Sequence, residues 1–393
     1  MMRRRGARAG AALLALALLA GACGGDGGSA DAEEPDTTDG AAADDGDPTD
    51  GEGDDGGAAG DAGVEEARQI VAEYTQNPTS IGVDTPVDGD IPSDKTIAFL
   101  SCGLPTCDNL GDQFEAAAAE LGWTVDRYNA GLTPESINAA WSQVARELPD
   151  GVVASGYPRV LFEDSLQILA DNDVPVVQCC INDEPVDGLT ATLMKNNTVL
   201  FGETMAAWIV AEEGTDANTL WVTSSDFPIL DELTQGFSDE YARLCPDCEL
   251  EVLDTPSTEI AAGLPTTIVG ALRSNPDINY LGLAIDGMVA GLDTALEDAG
   301  LSDIGIIGQG GDPINKQLIA DGKQSASSPI PSYELMWLAA DTLARVFVGD
   351  TSVDATEIIV PTMIYTPDNI GDPTDYEPFV ADYQEQFKAL WGR

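Results

Sequence analysis

The stretch Lys95-Thr-Ile-Ala-Phe-Leu-Ser-Cys-Gly103 decides the fold, together with the turn and helix that follow it. Thr96 to Leu100 is a short apolar run without strict alternation, a pattern typical of a strand buried on both faces. Asp108 can then cap a helix whose apolar positions lie on one side, and Gly122 can end that helix. Strand, turn and amphipathic helix form the repeating unit of a parallel sheet that helices cover.

The same unit recurs along the chain in two successive series. This alternation predicts an α/β fold of two doubly wound parallel-sheet lobes, in which ligands bind outside the carboxyl ends of the strands. The predicted strands are Thr96–Leu100, Trp123–Tyr128, Gly151–Ser155, Val174–Cys180 and Leu189–Met194 in the first series, and Thr219–Thr223, Leu250–Leu253, Tyr280–Ile285, Ile304–Gln309 and Gln324–Ser328 in the second.

The composition excludes several classes of function. The 393 residues include 17 basic and 69 acidic ones, for a net charge of −52. The negative electrostatic field of such a charge repels the phosphate backbones of nucleic acids, so we expect no nucleic-acid partner. The acidic surplus is interpreted as a solvated coat, and a saline habitat would explain it as well. Because histidine is absent, histidine general bases, Ser-His pairs and histidine-containing zinc sites are excluded, and we expect neither a cofactor nor a metal site.

The amino terminus has the features of an export signal. Arginines at positions 3, 4, 5 and 8 precede an apolar core, Ala11 to Ala20, which is too short to span a bilayer. Leu19-Ala-Gly-Ala-Cys23 resembles a bacterial lipobox, which implies lipidation of Cys23 and an extracytoplasmic, membrane-anchored protein. Plain secretion is the alternative. Residues 24–63 are predicted to form an acidic disordered tether, and residues 64–93 a lead-in helix, packed on the first domain or partly ordered, and a linker.

A set of short motifs resembles a known family in its order along the chain. That family is the periplasmic sugar-binding proteins of the ribose- and galactose-binding type, which feed ABC importers. The resemblance implies two lobes joined by three hinge crossings, near Lys195, Pro331 and Thr356. It assigns residues 94–196 and 332–355 to the first lobe and residues 197–331 and 356–393 to the second. The motifs are Lys95-Thr-Ile-Ala-Phe99, Asp173-Val-Pro-Val-Val177, Thr234-Gln-Gly-Phe237, Ser274-Asn-Pro-Asp277, Asp298-Ala-Gly-Leu-Ser302, Ile306-Ile-Gly308 and Asp321-Gly-Lys323.

The predicted pocket departs from this family. Sugar binders of this type place an Asp-Arg pair where this chain has Cys180-Ile181, an Asn at the position of Ile285 and an Asp at that of Gly310. A site without those groups favours a ligand less polar than a simple pentose or hexose, or a sugar derivative bound in another way.

The candidate ligand-binding residues follow predicted strand ends. For each carboxylate among them, a role as a helix N-cap is the structural alternative. The apolar or soft candidates are Leu104, Cys179, Cys180, Phe227, Ile285 and Tyr333, and the polar ones are Ser101, Asp226, Asp286, Gln309 and Asp312.

Apart from Cys23, the cysteines fall in three close pairs, and spacing alone does not fix their connectivity. The preferred set joins Cys102 to Cys107, Cys179 to Cys180 and Cys245 to Cys248. A disulfide between the neighbouring Cys179 and Cys180 would form a rigid apolar surface at the crevice between the lobes. The alternative is a disulfide from Cys102 or Cys107 to the fourth strand. For the third pair, Cys245-Pro-Asp-Cys248, the alternative to a structural disulfide is a redox-active motif.

These observations predict a binding protein and not an enzyme. We expect a monomeric solute-binding lipoprotein that captures a small molecule between its lobes and delivers it to the membrane permease of an ABC importer. The alternatives are a secreted carboxylate-dependent hydrolase and a sensor that presents its ligand to a membrane receptor.

Overall fold

The structure is a computed structural model, and it describes residues 55–260 and 263–393. The predicted signal, the lipidation of Cys23 and most of the predicted tether therefore lie outside the described residues. No helix within these ranges is both long enough and apolar enough to cross a membrane. In chain order the elements are α1 (Asp55–Tyr74), β1 (Thr96–Ser101), α2 (Pro105–Leu121), β2 (Thr124–Asn129), α3 (Pro134–Glu147), β3 (Gly151–Ala154), α4 (Glu163–Ala170), β4 (Val176–Cys179), β5 (Leu189–Leu193), α5 (Asn197–Glu213), β6 (Asn218–Thr223), α6 (Ile229–Leu244), β7 (Glu249–Asp254), α7 (Ser257–Ile260), α8 (Leu264–Ser274), β8 (Tyr280–Leu283), α9 (Leu292–Ala299), β9 (Gly305–Gly310), α10 (Pro313–Ala320), β10 (Ala326–Pro329), α11 (Ser332–Val348) and α12 (Tyr383–Leu390).

The strands form two separate five-stranded sheets, one in each lobe. Their orders are β2-β1-β3-β4-β5 and β10-β9-β8-β6-β7, and every named pair is parallel. The predicted α/β fold of two doubly wound lobes is therefore confirmed. In each sheet the chain adds its second strand on one side of the first and its third strand on the other, which creates a switch point at the carboxyl ends.

Helix α2 begins earlier than the sequence predicts. Its first residue is Pro105, and the residue before it, Leu104, makes no side-chain cap. Asp108 is therefore not the N-cap; it lies in the first turn, where its carboxylate accepts a hydrogen bond of 2.8 Å from the Ser101 hydroxyl. Proline fits the first helical position, because the missing N–H has no partner there in any helix. By contrast, Thr133 caps α3: its hydroxyl accepts a hydrogen bond from the Ser136 N–H, and the Ser136 hydroxyl accepts one from the Thr133 N–H.

Helix α1 differs from its prediction in both extent and position. It begins at Asp55 instead of Val64, so residues 55–63, predicted as tether, are helical. It packs on α5 and α6 of the second lobe and not on the first. An ion pair of 3.0 Å joins Glu66 to Arg243, and Gly63 lies so close to the Leu244 backbone that no side chain would fit. Helix α5 is buried around most of its circumference, and α1 supplies part of that cover.

The chain passes between the sheets at the three predicted positions. Between β5 and α5, Asn197 bonds the backbone of Val360 in both directions, at 2.7 and 3.0 Å, so the first and third crossings are joined. Thr356 accepts a bond from the Thr192 N–H. The second crossing lies between β10 and α11, where Ser332 bonds Ile330 through the backbone.

The carboxyl-terminal helix is shorter than predicted. The pattern predicts a helix from Tyr376 to Trp391, whereas α12 covers only Tyr383–Leu390. The N–H groups of Phe379 and Val380 donate instead to the Glu334 carboxylate, both at 2.8 Å. This buried acceptor holds the segment in a non-helical conformation. The lobe boundaries stay a prediction; α12 itself packs on α11.

Candidate ligand-binding crevice

Hydrogen bonds between facing residues join the two lobes at the carboxyl ends of the strands. Thr106 follows β1 in the first lobe, and its hydroxyl bonds both carboxylate oxygens of Asp312 after β9, at 2.8 and 3.1 Å. Asn182 follows β4, and its amide donates to the Glu232 carboxylate of α6 at 3.2 Å. The strand-end turns of the lobes therefore face one another across a crevice that is closed in this structure.

Asp312 is the centre of one of these contacts. Besides Thr106, the Tyr376 hydroxyl donates to its carboxylate at 2.7 Å. The Tyr333 hydroxyl donates in turn to the Tyr376 carbonyl at 2.9 Å. Two of the predicted ligand residues, Asp312 and Tyr333, are thereby brought together through a tyrosine that the sequence analysis missed. Tyr376 lies in a segment predicted as helix, where no strand end signals it.

The Asp286 side chain is buried, and its carboxylate is hydrogen-bonded to other residues of the second lobe in this conformation. Its carboxylate accepts hydrogen bonds from the Gly311 N–H at 2.7 Å, from the Gln324 amide at 2.8 Å and from the Ser327 hydroxyl. Burial raises its pKa to about 6, and these hydrogen bonds partly oppose the rise. Gly308 packs directly on the carboxyl group, which leaves no room for a side chain there. The glycine-rich turn at the end of β9 therefore packs against a buried carboxylate.

Asp226 does not cap the helix that follows it, α6; its carboxylate instead holds the start of α7, which is distant in sequence. Its carboxylate accepts from the Ser257 N–H at 2.8 Å and from the Ser257 hydroxyl at 2.7 Å, at the start of α7. These bonds hold the pKa of the exposed Asp226 below its usual value. The structure does not bring Asp226 together with Asp286 or Asp312 through any hydrogen bond among the described residues.

Two of the three predicted disulfides are formed. Cys102 is bonded to Cys107, and Cys245 to Cys248. Cys179 and Cys180 are free thiols with their sulfurs 2.8 Å apart, so the predicted vicinal disulfide is wrong for this structure. Consecutive Cα atoms lie about 3.8 Å apart, closer than the usual span of a disulfide of about 4.4–6.8 Å, so the bond is unfavourable between neighbours.

The Cys180 backbone nevertheless shapes the crevice end of β4. Cys180 has a φ of 64°, the left-handed region. A Cβ on Gly156, after β3, would lie 2.5 Å from the Cys180 carbonyl oxygen, so the turns after β3 and β4 touch and only glycine fits.

The other predicted residues differ in exposure. Leu104 and Phe227 are 48% and 42% exposed at their strand-end turns. Gln309 and Ile285 are half-buried at the ends of β9 and β8, whereas Ser101 is buried and bonded to its own turn.

Three polar groups missed by the sequence analysis remain without partners near strand ends. The Tyr157 hydroxyl, the Gln178 amide nitrogen and the Ser224 hydroxyl are buried and have no hydrogen-bond partner among the described residues. They follow or end β3, β4 and β6. Burial raises the pKa of Tyr157 to about 12, so its hydroxyl remains a neutral donor. Ser224 directly follows its strand, and that position was the signal that could have identified it.

Comparisons with known proteins agree with this architecture. Residues 101–351 match the family model described as periplasmic binding protein domain. A search of curated proteins found no significant match.

Solved structures with the same fold have low sequence identity. An ABC sugar transporter subunit from Rhodobacter sphaeroides 2.4.1 is 20% identical, with a TM-score of 0.59, over 70% of this chain and 99% of its own. GanP, a glucose-galactose binding protein from Geobacillus stearothermophilus, is 16% identical, with a TM-score of 0.63, over 71% and 100%. An ABC transporter solute binding protein from Agrobacterium vitis with bound allitol is 17% identical, with a TM-score of 0.60, over 71% and 98%.

Proposed function

The chain belongs to the periplasmic binding protein family, and from this premise we propose that it is an extracytoplasmic solute-binding lipoprotein. It captures one small molecule between its lobes, without changing it chemically, and delivers the molecule to the permease of an ABC importer. The similar structures include an ABC sugar transporter subunit, a solute binding protein with bound allitol and a glucose-galactose binding protein. They support a ligand of comparable size.

The observation that carries the proposal is the crevice between the two sets of strand ends. It lies at the switch points of both sheets, where open parallel sheets bind ligands. The Thr106–Asp312 and Asn182–Glu232 hydrogen bonds supply a closed state for the lobes. Buried donors without partners, such as Ser224 and Tyr157, supply groups that a guest could satisfy.

The hydrogen bonds that the crevice carboxylates already accept from the protein support a neutral ligand of modest polarity. Asp226, Asp286 and Asp312 already accept two or more hydrogen bonds each from the protein. No arginine follows β4, where the chain continues Cys180-Ile181. Leu104 and Phe227 add exposed apolar surface at the strand-end turns. A sugar derivative or a less polar molecule fits these groups better than an unmodified hexose.

The proposed lipid anchor rests on the amino-terminal sequence. The lipobox-like residues before Cys23 and the acidic stretch after it support a lipid anchor with a spacer. Metabolic labelling with palmitate should modify the full chain and fail on Cys23→Ser. Equal labelling of both proteins would contradict the anchor.

A screen of ligands tests the binding function. Native mass spectrometry of the purified protein should reveal a bound neutral molecule, and a thermal-shift screen of sugars, polyols, aromatics and sterol-like compounds should identify its class. A ligand at 100 times its Kd stabilises the folded state by about 2.7 kcal/mol. Conversion of a stabilising compound to product would favour the hydrolase instead.

A further inference from the structure

The regions before and after the part that matches the family model each contact both lobes. The match covers residues 101–351. Helix α1 precedes it and packs on α5 and α6 of the second lobe, whereas the segment after α1 leads to β1 of the first lobe. Helix α12 follows the match and packs on α11, and an ion pair of 3.1 Å joins its Lys388 to Glu120 of α2. Because α2 and α11 cover the first sheet, α12 lies on the first lobe.

Residues 76–78 cross from the second lobe to the first, and the start of this crossing is fixed on the second lobe. The Tyr74 carbonyl, at the end of α1, accepts a hydrogen bond of 2.7 Å from the Ile364 N–H. The neighbouring Tyr365 pairs with Ser327 of β10 through the backbone, so this contact belongs to the second lobe.

The end of the same crossing is fixed on the first lobe. The Gln386 side chain of α12 donates to the Thr79 carbonyl at 3.0 Å and accepts from the Ile81 N–H at 3.3 Å. The Ile81 side chain is 1% exposed. The five residue steps from Tyr74 to Thr79 span at most about 18 Å even when fully extended. This connection between the lobes is therefore short and fixed at both ends.

Residues 380–382 cross between the lobes in the same way. The ring of Phe379, before them, packs edge-on against Tyr365 of the second lobe, with the ring centroids 5.8 Å apart. The ring of Tyr383, after them, packs edge-on against Trp337 of α11, with the centroids 5.2 Å apart. Two aromatic anchors on different lobes are thus separated by only a few residues of chain.

The two added crossings contact each other and the second and third crossings. The Asn77 amide donates to the Phe379 carbonyl at 3.4 Å. A Cβ on Gly82 would lie 2.6 Å from the carbonyl oxygen of Ile359 in the third crossing, so the two backbones touch. Glu334, just after the second crossing, accepts from the Phe379 N–H at 2.8 Å. The added crossings therefore lie beside the hinge.

We propose that residues 75–82 and 379–383 form a belt that limits how far the two lobes open. A hinge opens when a few residues in the connecting segments absorb changes of backbone torsion. Each added connection that is fixed at both ends must deform at the same time, and both parts of the belt are too short to extend freely. The ligand-free protein should therefore open less widely than the other three crossings alone would allow.

Small-angle scattering of the full chain without ligand tests the belt. A flexible Gly-Ser-Gly-Ser-Gly-Ser insertion between Asn77 and Pro78 releases one connection. The same insertion between Ser302 and Asp303, in an exposed turn of the second lobe, is the matched control. Both insertions are made in the wild type and in Asp312→Asn, which weakens the contact between the closed lobes. In the Asp312→Asn background, the insertion after Asn77 should give a larger radius of gyration than the control insertion.

Single substitutions test the same belt without lengthening the chain. Gln386→Ala removes both side-chain hydrogen bonds that join α12 to residues 79–81, and it should increase the radius of gyration of the Asp312→Asn protein. Gln384→Ala on the same helix, whose amide bonds the neighbouring Tyr383 hydroxyl, should leave that radius unchanged.

Thermal unfolding shows which variants are folded. Equal radii of gyration for the two insertion proteins in both backgrounds overturn the proposal. If the insertion after Asn77 prevents folding, the two glutamine variants decide, and equal radii for Gln386→Ala and Gln384→Ala overturn it. A crevice that binds no ligand would refute the proposed function and leave this test unaffected, because the belt is measured in the ligand-free protein.

Discussion

Individual carboxylates of this very acidic chain have different roles, and their surroundings decide which. Asp286 is buried and joins the turn after β9 to β10, Asp226 is exposed and holds the start of a helix, and Asp312 joins the two lobes. Composition predicts an acidic coat but cannot distinguish these roles, because each depends on donors far away in sequence.

Asp312→Asn should weaken the closed state of the ligand-free protein. The amide keeps one acceptor oxygen and presents N–H donors to the hydroxyl groups of Thr106 and Tyr376, and hydrogen bonds to a charged acceptor contribute about 1.5–3 kcal/mol. The radius of gyration, measured by small-angle scattering, should therefore increase. Asp321→Asn, after the same helix α10, is the control and should scatter as the wild type does. Identical curves for all three proteins would refute the role of Asp312.

Glu334→Gln should change how stability depends on pH. Burial raises the pKa of Glu334 to about 7, and the hydrogen bonds from the N–H groups of Val380 and Phe379 partly oppose the rise. Since the folded protein binds this proton more tightly than the unfolded chain, acidification from pH 8 to pH 5 should raise the unfolding free energy. This contribution is on the order of 3 kcal/mol.

The variant should lack that contribution, which urea unfolding at several pH values can measure. Glu297→Gln, an exposed glutamate of α9, should retain the wild-type dependence. Parallel pH profiles for wild type and Glu334→Gln would contradict the assignment.

At the scale of elements, helices α5 and α6 pack closely because glycines lie at their contact. A Cβ on Gly236 would lie 2.6 Å from the Val199 carbonyl oxygen, and one on Gly202 would overlap the Leu233 carbonyl. Such backbone contacts cannot move as flexible side chains do. The second lobe therefore depends on these two positions, and α1 in turn packs on the helices that they join.

Gly236→Ala should lower the unfolding free energy by about 1–3 kcal/mol, since the added methyl group overpacks the contact. Gly270→Ala on α8 is the matched control, because a Cβ there meets no atom within 4 Å. It should be neutral or stabilising by up to about 1 kcal/mol, as alanine is the better helix former. Chemical denaturation gives both values, and equal stability of the two variants would contradict this account of the contact.

The sequence predicts most strands and several helix ends, because both depend on local patterns. Buried apolar runs predicted the central strands such as β1, β3 and β4, and Gly122 predicted the end of α2. The misses depend on distant contacts. The position of α1 depends on its packing against α5 and α6, where Gly63 meets the Leu244 backbone. The late start of α12 depends on the hydrogen bond from the Phe379 N–H to Glu334. Vicinal cysteines suggest a bond by proximity, and backbone geometry opposes it. For the crevice, the sequence predicted which residues lie at strand ends, but not which of their polar groups already have hydrogen-bond partners within the protein.

At the scale of the whole molecule, two sheets with the same topology present the carboxyl ends of their strands to each other, and the hinge crossings connect the two lobes. The described elements contain all ten strands, and the family match covers most of both lobes. Outside the residues that match the family model, α1 packs on the second lobe, and residues 75–95 reach the first lobe, where the Pro92 carbonyl accepts a hydrogen bond from the Trp123 indole.

The net charge makes a prediction for the whole chain. With 69 acidic and 17 basic residues, like charges repel one another in the compact state. Raising KCl from 0.05 to 1 M shortens the screening length to about 3 Å, so the melting temperature should rise by about 3 °C or more. Differential scanning calorimetry measures it, and a constant or falling melting temperature would contradict net self-repulsion.

The account depends most on the claim that the crevice encloses a small molecule that the protein does not alter. A crystal structure with the strongest compound from the thermal-shift screen tests it directly. We predict the intact compound between the ends of β1, β3 and β4 and those of β6, β8 and β9, in contact with Ser224 or Tyr157. A chemically converted compound, or one bound only outside the space between the lobes, would contradict the claim.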